Sequence, residues 1–216
     1  MFVFMLGFAI KQAGVVYYYT YVVENVGIIP IQAAVTSVAM IIGQSCMPMF
    51  TKKFGKTNSM HLMCVISFVG NVLFIFSNNN TAMLIAGTAV VWYGLGFLMG
   101  MRFSVLADVV DYCEMKSGIH AAGMLSSLDS FVAKLTFGLN VTLFTFLMKL
   151  GGYVPNQKQT DLAKNYINIG FIGIPVVCLI LTVVLLRFFK VEKLMNEYNQ
   201  EHNENSEKVI AEKKAV

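Results

Sequence analysis

The sequence predicts an all-helical integral membrane protein of six transmembrane helices with a polar tail, and three observations predict it. The first is composition. Hydrophobic residues make up 56% of the chain and charged residues only 13%, with 17 Phe, 14 Met and a mean hydropathy of +0.65, whereas a soluble domain carries about 25% charged residues. The second is the placement of charge. Of 28 charged residues, 11 lie between Lys190 and Lys214, leaving 17 for the first 189 positions, too few to cover a soluble core with polar surface. The third is length: six stretches reach the roughly 20 apolar residues that cross the hydrocarbon as a helix. None shows the alternation of a strand, and closed barrels are the only competitor in lipid.

The spans fall at about 2–23, 28–50, 60–77, 82–107, 121–149 and 167–189, so that residues 1–189 form one bundle and 190–216 the tail. Each break carries turn or loop chemistry. Gly27 to Pro30 separates the first two spans, Lys52 to Ser59 the next two, and Asn78-Asn79-Asn80-Thr81 the third from the fourth. Lys116-Ser117-Gly118 and a long polar link from Gly151 to Asn165 complete the set. Lys52, Lys53 and Lys56 after span two, and Arg187, Lys190 and Lys193 after span six, lie on one side of the bilayer. Cytoplasmic loops hold the excess of Lys and Arg, so both chain ends are expected in the cytoplasm of a multi-pass protein of the cell membrane. The glutamates and lysines of the tail read as a solvated, partly helical extension.

Other classes drop out. The net charge of +4 is scattered over spans, loops and tail, whereas a nucleic-acid face needs its lysines clustered. Cys46, Cys64, Cys113 and Cys178 stand singly, with no CxxC and no His at metal spacing, so they read as inert thiols and no metal or cofactor is expected. The apolar run starts at Phe2 without a positive segment before it. That does not fit a signal peptide, and it is an odd start for a whole membrane protein.

Ionisable groups within spans are costly in hydrocarbon and therefore mark candidate sites. There are four: Lys11 in span one, Arg102 in span four, and Asp129 and Lys134 in span five. Lys11 shares a broad arc with Gln12, Tyr18 and Tyr19; it reads as the lining of a cavity, with a packed tyrosine stripe as the alternative. Arg102 lies about six residues from the cytoplasmic end of its span, within reach of the interface by snorkelling. Span five is divided around its circumference. With Asp129 at zero and roughly 100° per residue, Thr136, Asn140, Ala133 and Ser126 fall within about −20° to 60°, and Ser130, Lys134, Ser127, Thr145 and Gly138 within about 100° to 180°. Phe131, Leu135, Leu128, Phe146, Leu139, Val132 and Leu125 take the other side, with Thr142 as the one polar intruder. Helix-to-helix glue explains the hydroxyls but not Asp129 and Lys134 together; a watery cavity explains both.

The link after span four reads Asp108-Val109-Val110-Asp111-Tyr112-Cys113-Glu114-Met115-Lys116-Ser117-Gly118. Three carboxylates at a cytoplasmic end run against the basic flank. With no nucleophile or His partner near in sequence, acid–base catalysis is a poorer account than a charged gate that pairs with basic residues of another cytoplasmic loop.

These residues resemble the glycoside–pentoside–hexuronide:cation symporters, the melibiose permease type of major facilitator transporter. The resemblance rests on Asp108-x-x-Asp111-Tyr112-x-Glu114-x-Lys116-x-Gly118, on Ser130-x-x-x-Lys134, on Gly152-Tyr153-Val154-Pro155-Asn156 and on Tyr18-Tyr19-Thr20-Tyr21. It runs from about residue 2 to 195 and covers the second half of the family's twelve-span pattern. It implies the C-terminal six helices of a major facilitator fold, and no enzyme. It further implies symport of a sugar with Na⁺ or H⁺ by rocking of two halves around a midplane site. By resemblance Lys134 stands at the junction of the sugar and cation sites, Ser130 and Asp129 help hold the sugar, and the segment from Asp108 to Gly118, Tyr112 and Lys116 included, forms the gate. His120, Ala122 and Met99 depart from the family's pattern. The cation-site carboxylates would come from a missing N-terminal half, or from a second copy of the chain; a non-transporting membrane subunit is the remaining alternative.

Overall fold

The computed structural model describes residues 2–77, 80–117, 122–155 and 157–188, so the tail from 190 to 216 lies outside the described residues. Six helices follow one another: α1 (Phe2–Val22), α2 (Ile28–Phe54), α3 (Lys56–Phe76), α4 (Thr81–Ser117), α5 (Ala122–Leu150) and α6 (Asp161–Arg187). All six are long and apolar enough to cross a membrane, and no strand occurs among the described residues. The protein is an all-helical, multi-pass membrane protein.

Three boundaries differ from the sequence expectation, each for a physical reason. The expected link from Lys52 to Ser59 shrinks to Gly55. Lys52 and Lys53 lie in the last turn of α2, where the helix dipole favours cations, and Gly55 breaks the helix at φ 79°, which glycine adopts at no steric cost. The acidic segment after span four is helix, not loop, through Ser117. Beyond the hydrocarbon a helix needs no apolar side chains, and no Gly or Pro interrupts positions 101–117. The link before span six ends early, because the Thr160 hydroxyl accepts from the Ala163 N–H at 3.2 Å and caps a helix that starts at Asp161.

α4 runs between α2 and α3 and packs on both; α1 packs on α5 and α6, and α3 meets α6. Glycine makes the α4 contacts close. A Cβ at Gly43 of α2 would sit 2.2 Å from the Tyr93 carbonyl oxygen, and one at Gly70 of α3 would sit 2.7 Å from the Val91 nitrogen. Trp92, Phe97, Met63, Tyr19 and Phe171 fill the centre. α1 and α4 are the most buried helices, α2 and α5 the least. Among the described residues two stretches are wound as π-helix, Tyr18–Val22 at the end of α1 and Ile169–Gly173 within α6.

Candidate functional site

α5 places its polar residues on two faces. Asp129, Thr136 and Asn140 turn toward the bundle, and Thr136 and Asn140 are buried. Ser126, Ser127, Ser130 and Lys134 stay exposed and, with Phe131, line an open groove of about 430 Å³. Lys134 has no partner among the described residues. The Ser127 hydroxyl donates back to the Gly123 carbonyl at 2.7 Å, which leaves its oxygen as an acceptor. The buried Asn140 Oδ1 also has no hydrogen-bond partner among the described residues.

Asp129 is engaged. Arg102 Nε donates to Asp129 Oδ1 at 3.0 Å and Nη2 to Oδ2, a two-pronged pair joining α4 to α5. The two side chains are only 6% and 12% exposed. Arg102 therefore does not snorkel, because a carboxylate 27 residues on meets it inside the bundle. That pairing also sets Asp129 apart from the open groove, on the other side of α5 from Lys134.

Lys11 and Tyr19 are fully buried, and the void against Lys11 is only about 10 Å³. α1 packs on its neighbours along much of its length, so Lys11, Tyr18 and Tyr19 point into packed protein while Gln12 stays exposed. The Lys11 ammonium, with no exposed surface, donates to Asn71 Oδ1 at 2.7 Å and to the Phe171 carbonyl at 3.3 Å. It also lies 4.1 Å from the centre of the Phe171 ring and 4.8 Å from that of Phe74. The Tyr19 hydroxyl meets that of Thr88 on α4 at 3.1 Å. Tyr18 is nearly buried but edges a cavity of about 650 Å³ at the end of the bundle formed by the α1 C-terminus, with Phe74, Ser77, Asn168 and Ile172. Asn71, a buried amide in mid-span, escaped the sequence reading; its only signal is a lone amide among apolar residues.

At the opposite end Lys56, the first residue of α3, holds Asp108 of α4 at 2.6 Å. Asp111 and Lys116 are exposed on the helical extension, and the Lys116 ammonium stands 5.8 Å from the centre of the Tyr112 ring. Glu114 is half-buried on the same extension, while Gly118 lies outside the described residues. The end with the large cavity is tied by Glu24 and Lys164, 2.6 Å apart. The hydrogen bond from Lys164, reinforced by its charge, holds the Glu24 carboxyl below its ordinary value. Beside it the Tyr153 hydroxyl donates to that of Tyr21 at 2.9 Å, which docks the link after α5 onto the end of α1. Among the described residues no group of three or more His, Cys, Asp or Glu stands where it would hold a metal ion.

The arrangement is an exposed, hydroxyl-rich cationic face on a membrane helix, braced from behind by a buried ion pair, with a further ion pair at each end of the bundle. Comparison with known proteins gives a consistent set of matches. The family model described as MFS/sugar transport protein matches residues 1–193. The isoprimeverose transporter of Lactiplantibacillus pentosus is 30% identical over 195 residues, 89% of this chain and 40% of the relative. The glucuronide carrier protein homolog of Escherichia coli (strain K12) is 25% identical over 180 residues, 82% of this chain and 39% of the relative. An uncharacterized symporter of Bacillus subtilis (strain 168) is 26% identical over 179 residues, 83% of this chain and 39% of the relative. The chain thus spans about two-fifths of the length of these curated relatives.

Proposed function

The chain belongs to the MFS/sugar transport protein family, and from that premise we propose that it forms the C-terminal six-helix half of a secondary transporter. The transporter carries a sugar or glycoside together with Na⁺ or H⁺ across the cell membrane, with both ends of this chain in the cytoplasm. The observation that carries the proposal is the open face of α5. Ser126, Ser127, Ser130 and Lys134 cannot face hydrocarbon without a large penalty. A water-filled cavity between two halves removes that penalty and supplies hydroxyl partners for a sugar. Lys134 is the residue placed to answer to a charge from the other half, so it couples the cation to the solute. Asp129 keeps α5 in register through Arg102 and does not itself reach the solute. The Lys56–Asp108 pair closes the cytoplasmic side, and breaks when the halves rock.

Lys134→Ala in the full transporter should cripple cation-driven accumulation of labelled glycoside while leaving membrane insertion intact. Near-normal accumulation across a cation gradient would remove Lys134 from the site. Cation-dependent uptake by residues 1–216 alone would replace the two-half reading with a homodimer.

A further inference from the structure

We infer that Lys11 supplies the hydrogen bond that Pro175 withholds, and is therefore the positioning residue that holds the broken turn of α6. In α-helical register the Phe171 carbonyl would accept from the N–H of residue 175. That residue is proline, which has no N–H and whose ring crowds the carbonyl four residues before it. α6 responds by widening into the π-helical stretch Ile169–Gly173, closed by the Ile174 N–H on the Ile169 carbonyl. The Lys11 ammonium reaches the Phe171 carbonyl from α1 at 3.3 Å.

The approach is built from both sides of Lys11. One turn before it, a Cβ on Gly7 would sit 2.6 Å from the Cys178 Cβ and 3.6 Å from the Pro175 Cα; one turn after it, a Cβ on Gly14 would sit 3.2 Å from the Phe171 ring. The two glycines bring α1 onto α6 where the turn is broken. Asn71 of α3 orients the ammonium from the third side: its Oδ1 accepts from Lys11 at 2.7 Å while its Nδ2 donates to the Ser67 carbonyl at 2.8 Å. The void beside them is about 10 Å³, at or below what a single water needs, so the ammonium is the donor that the packing brings to the carbonyl.

Lys11 acts through Phe171. The Phe171 ring stacks on Tyr18 at 4.4 Å and meets Phe74 edge-on at 5.3 Å. Tyr18 and Phe74, with Ile169, Ile172 and Gly173, wall the 650 Å³ cavity. Holding the carbonyl thus fixes one wall of that cavity. This inference concerns α6 itself and stands whether or not the chain transports a sugar.

The test is a double-mutant cycle on the membrane-embedded protein: Lys11→Met, Pro175→Ala and the two combined, read by amide hydrogen exchange over residues 169–177. With Pro175 present, Lys11→Met should speed exchange by about tenfold, near the lower end of the worth of a hydrogen bond from a charged donor, and Lys11→Arg should stay near wild type. With Pro175→Ala the restored N–H serves the carbonyl, and Lys11→Met should change exchange by no more than about twofold. Equal acceleration in both backgrounds would overturn the assignment, since it is what loss of packing alone gives. Should Lys11→Met fail to insert, recovery of insertion on adding Pro175→Ala is the same coupling, and failure of both variants alike refutes it.

Discussion

Asp129→Ala would strand the Arg102 guanidinium inside the bundle. Breaking a buried pair from one side costs about 3–5 kcal/mol, whereas replacing both partners by apolar residues is often near neutral. Asp129→Ala should therefore lower the thermal midpoint sharply, and Arg102→Met combined with Asp129→Leu should recover most of the loss. The buried thiols of Cys64 and Cys178 report unfolding to a thiol-reactive dye. At the surface the effect follows pH. Glu24 is held below its ordinary value of 4.5 by Lys164, so its contribution is fully present above that value and is lost as pH falls through the lowered one. The gap in midpoint between wild type and Glu24→Gln should be open at neutral pH and close in acid. Sequence showed which residues carry charge within the spans but not which meet. Arg102 and Asp129 are 27 positions apart on different helices, and their contact depends on how α4 and α5 pack. The partners of Lys11 are as little legible, since they are Asn71 and a backbone carbonyl, neither of which looks like a counter-charge in a sequence.

At the scale of the element, the α2–α4 contact rests on the absence of side chains. Gly43→Ala puts a methyl 2.2 Å from the Tyr93 carbonyl oxygen, so backbone has to move, and overpacking of this kind costs about 1–3 kcal/mol. Gly138→Ala meets nothing within 4 Å and should be neutral or stabilising by roughly 0.5–1 kcal/mol, from helix propensity alone. Thermal unfolding of the two variants in detergent checks the contrast. Hydropathy located the six helices seen among the described residues, since the bilayer imposes a length of apolar chain that few other structures share. It failed at the ends that leave the hydrocarbon. The turns beyond Ala107 and the last turn of α2 are charged, which reads as loop, yet their backbones bond internally and need no lipid. The π-helical stretches left no mark beyond Pro175, because register within a helix depends on a missing N–H and on what packs against it.

For the whole molecule, the orientation proposed above puts Asp108, Asp111 and Glu114 on the cytoplasmic side and Glu24 and Lys164 on the outer side. Single cysteines at the first three positions, in a protein otherwise free of cysteine, should resist an impermeant maleimide added to intact cells and react once the membrane is opened. Labelling from outside would reverse the orientation, and with it the assignment of the gate. The architecture has a mechanical side too. α4 has 37 residues, about 55 Å of continuous helix, against roughly 30 Å of hydrocarbon. A rod longer than the layer it crosses behaves as a lever: a tilt too small to disturb packing at the bilayer centre sweeps its far end through a wide arc. The Lys56–Asp108 pair clasps that lever near its base and leaves Asp111 and Lys116 to travel with the tip. Any body that gripped that end, a loop of another half or a soluble regulator, would feel the tilt of the bundle magnified and could brake it with little force.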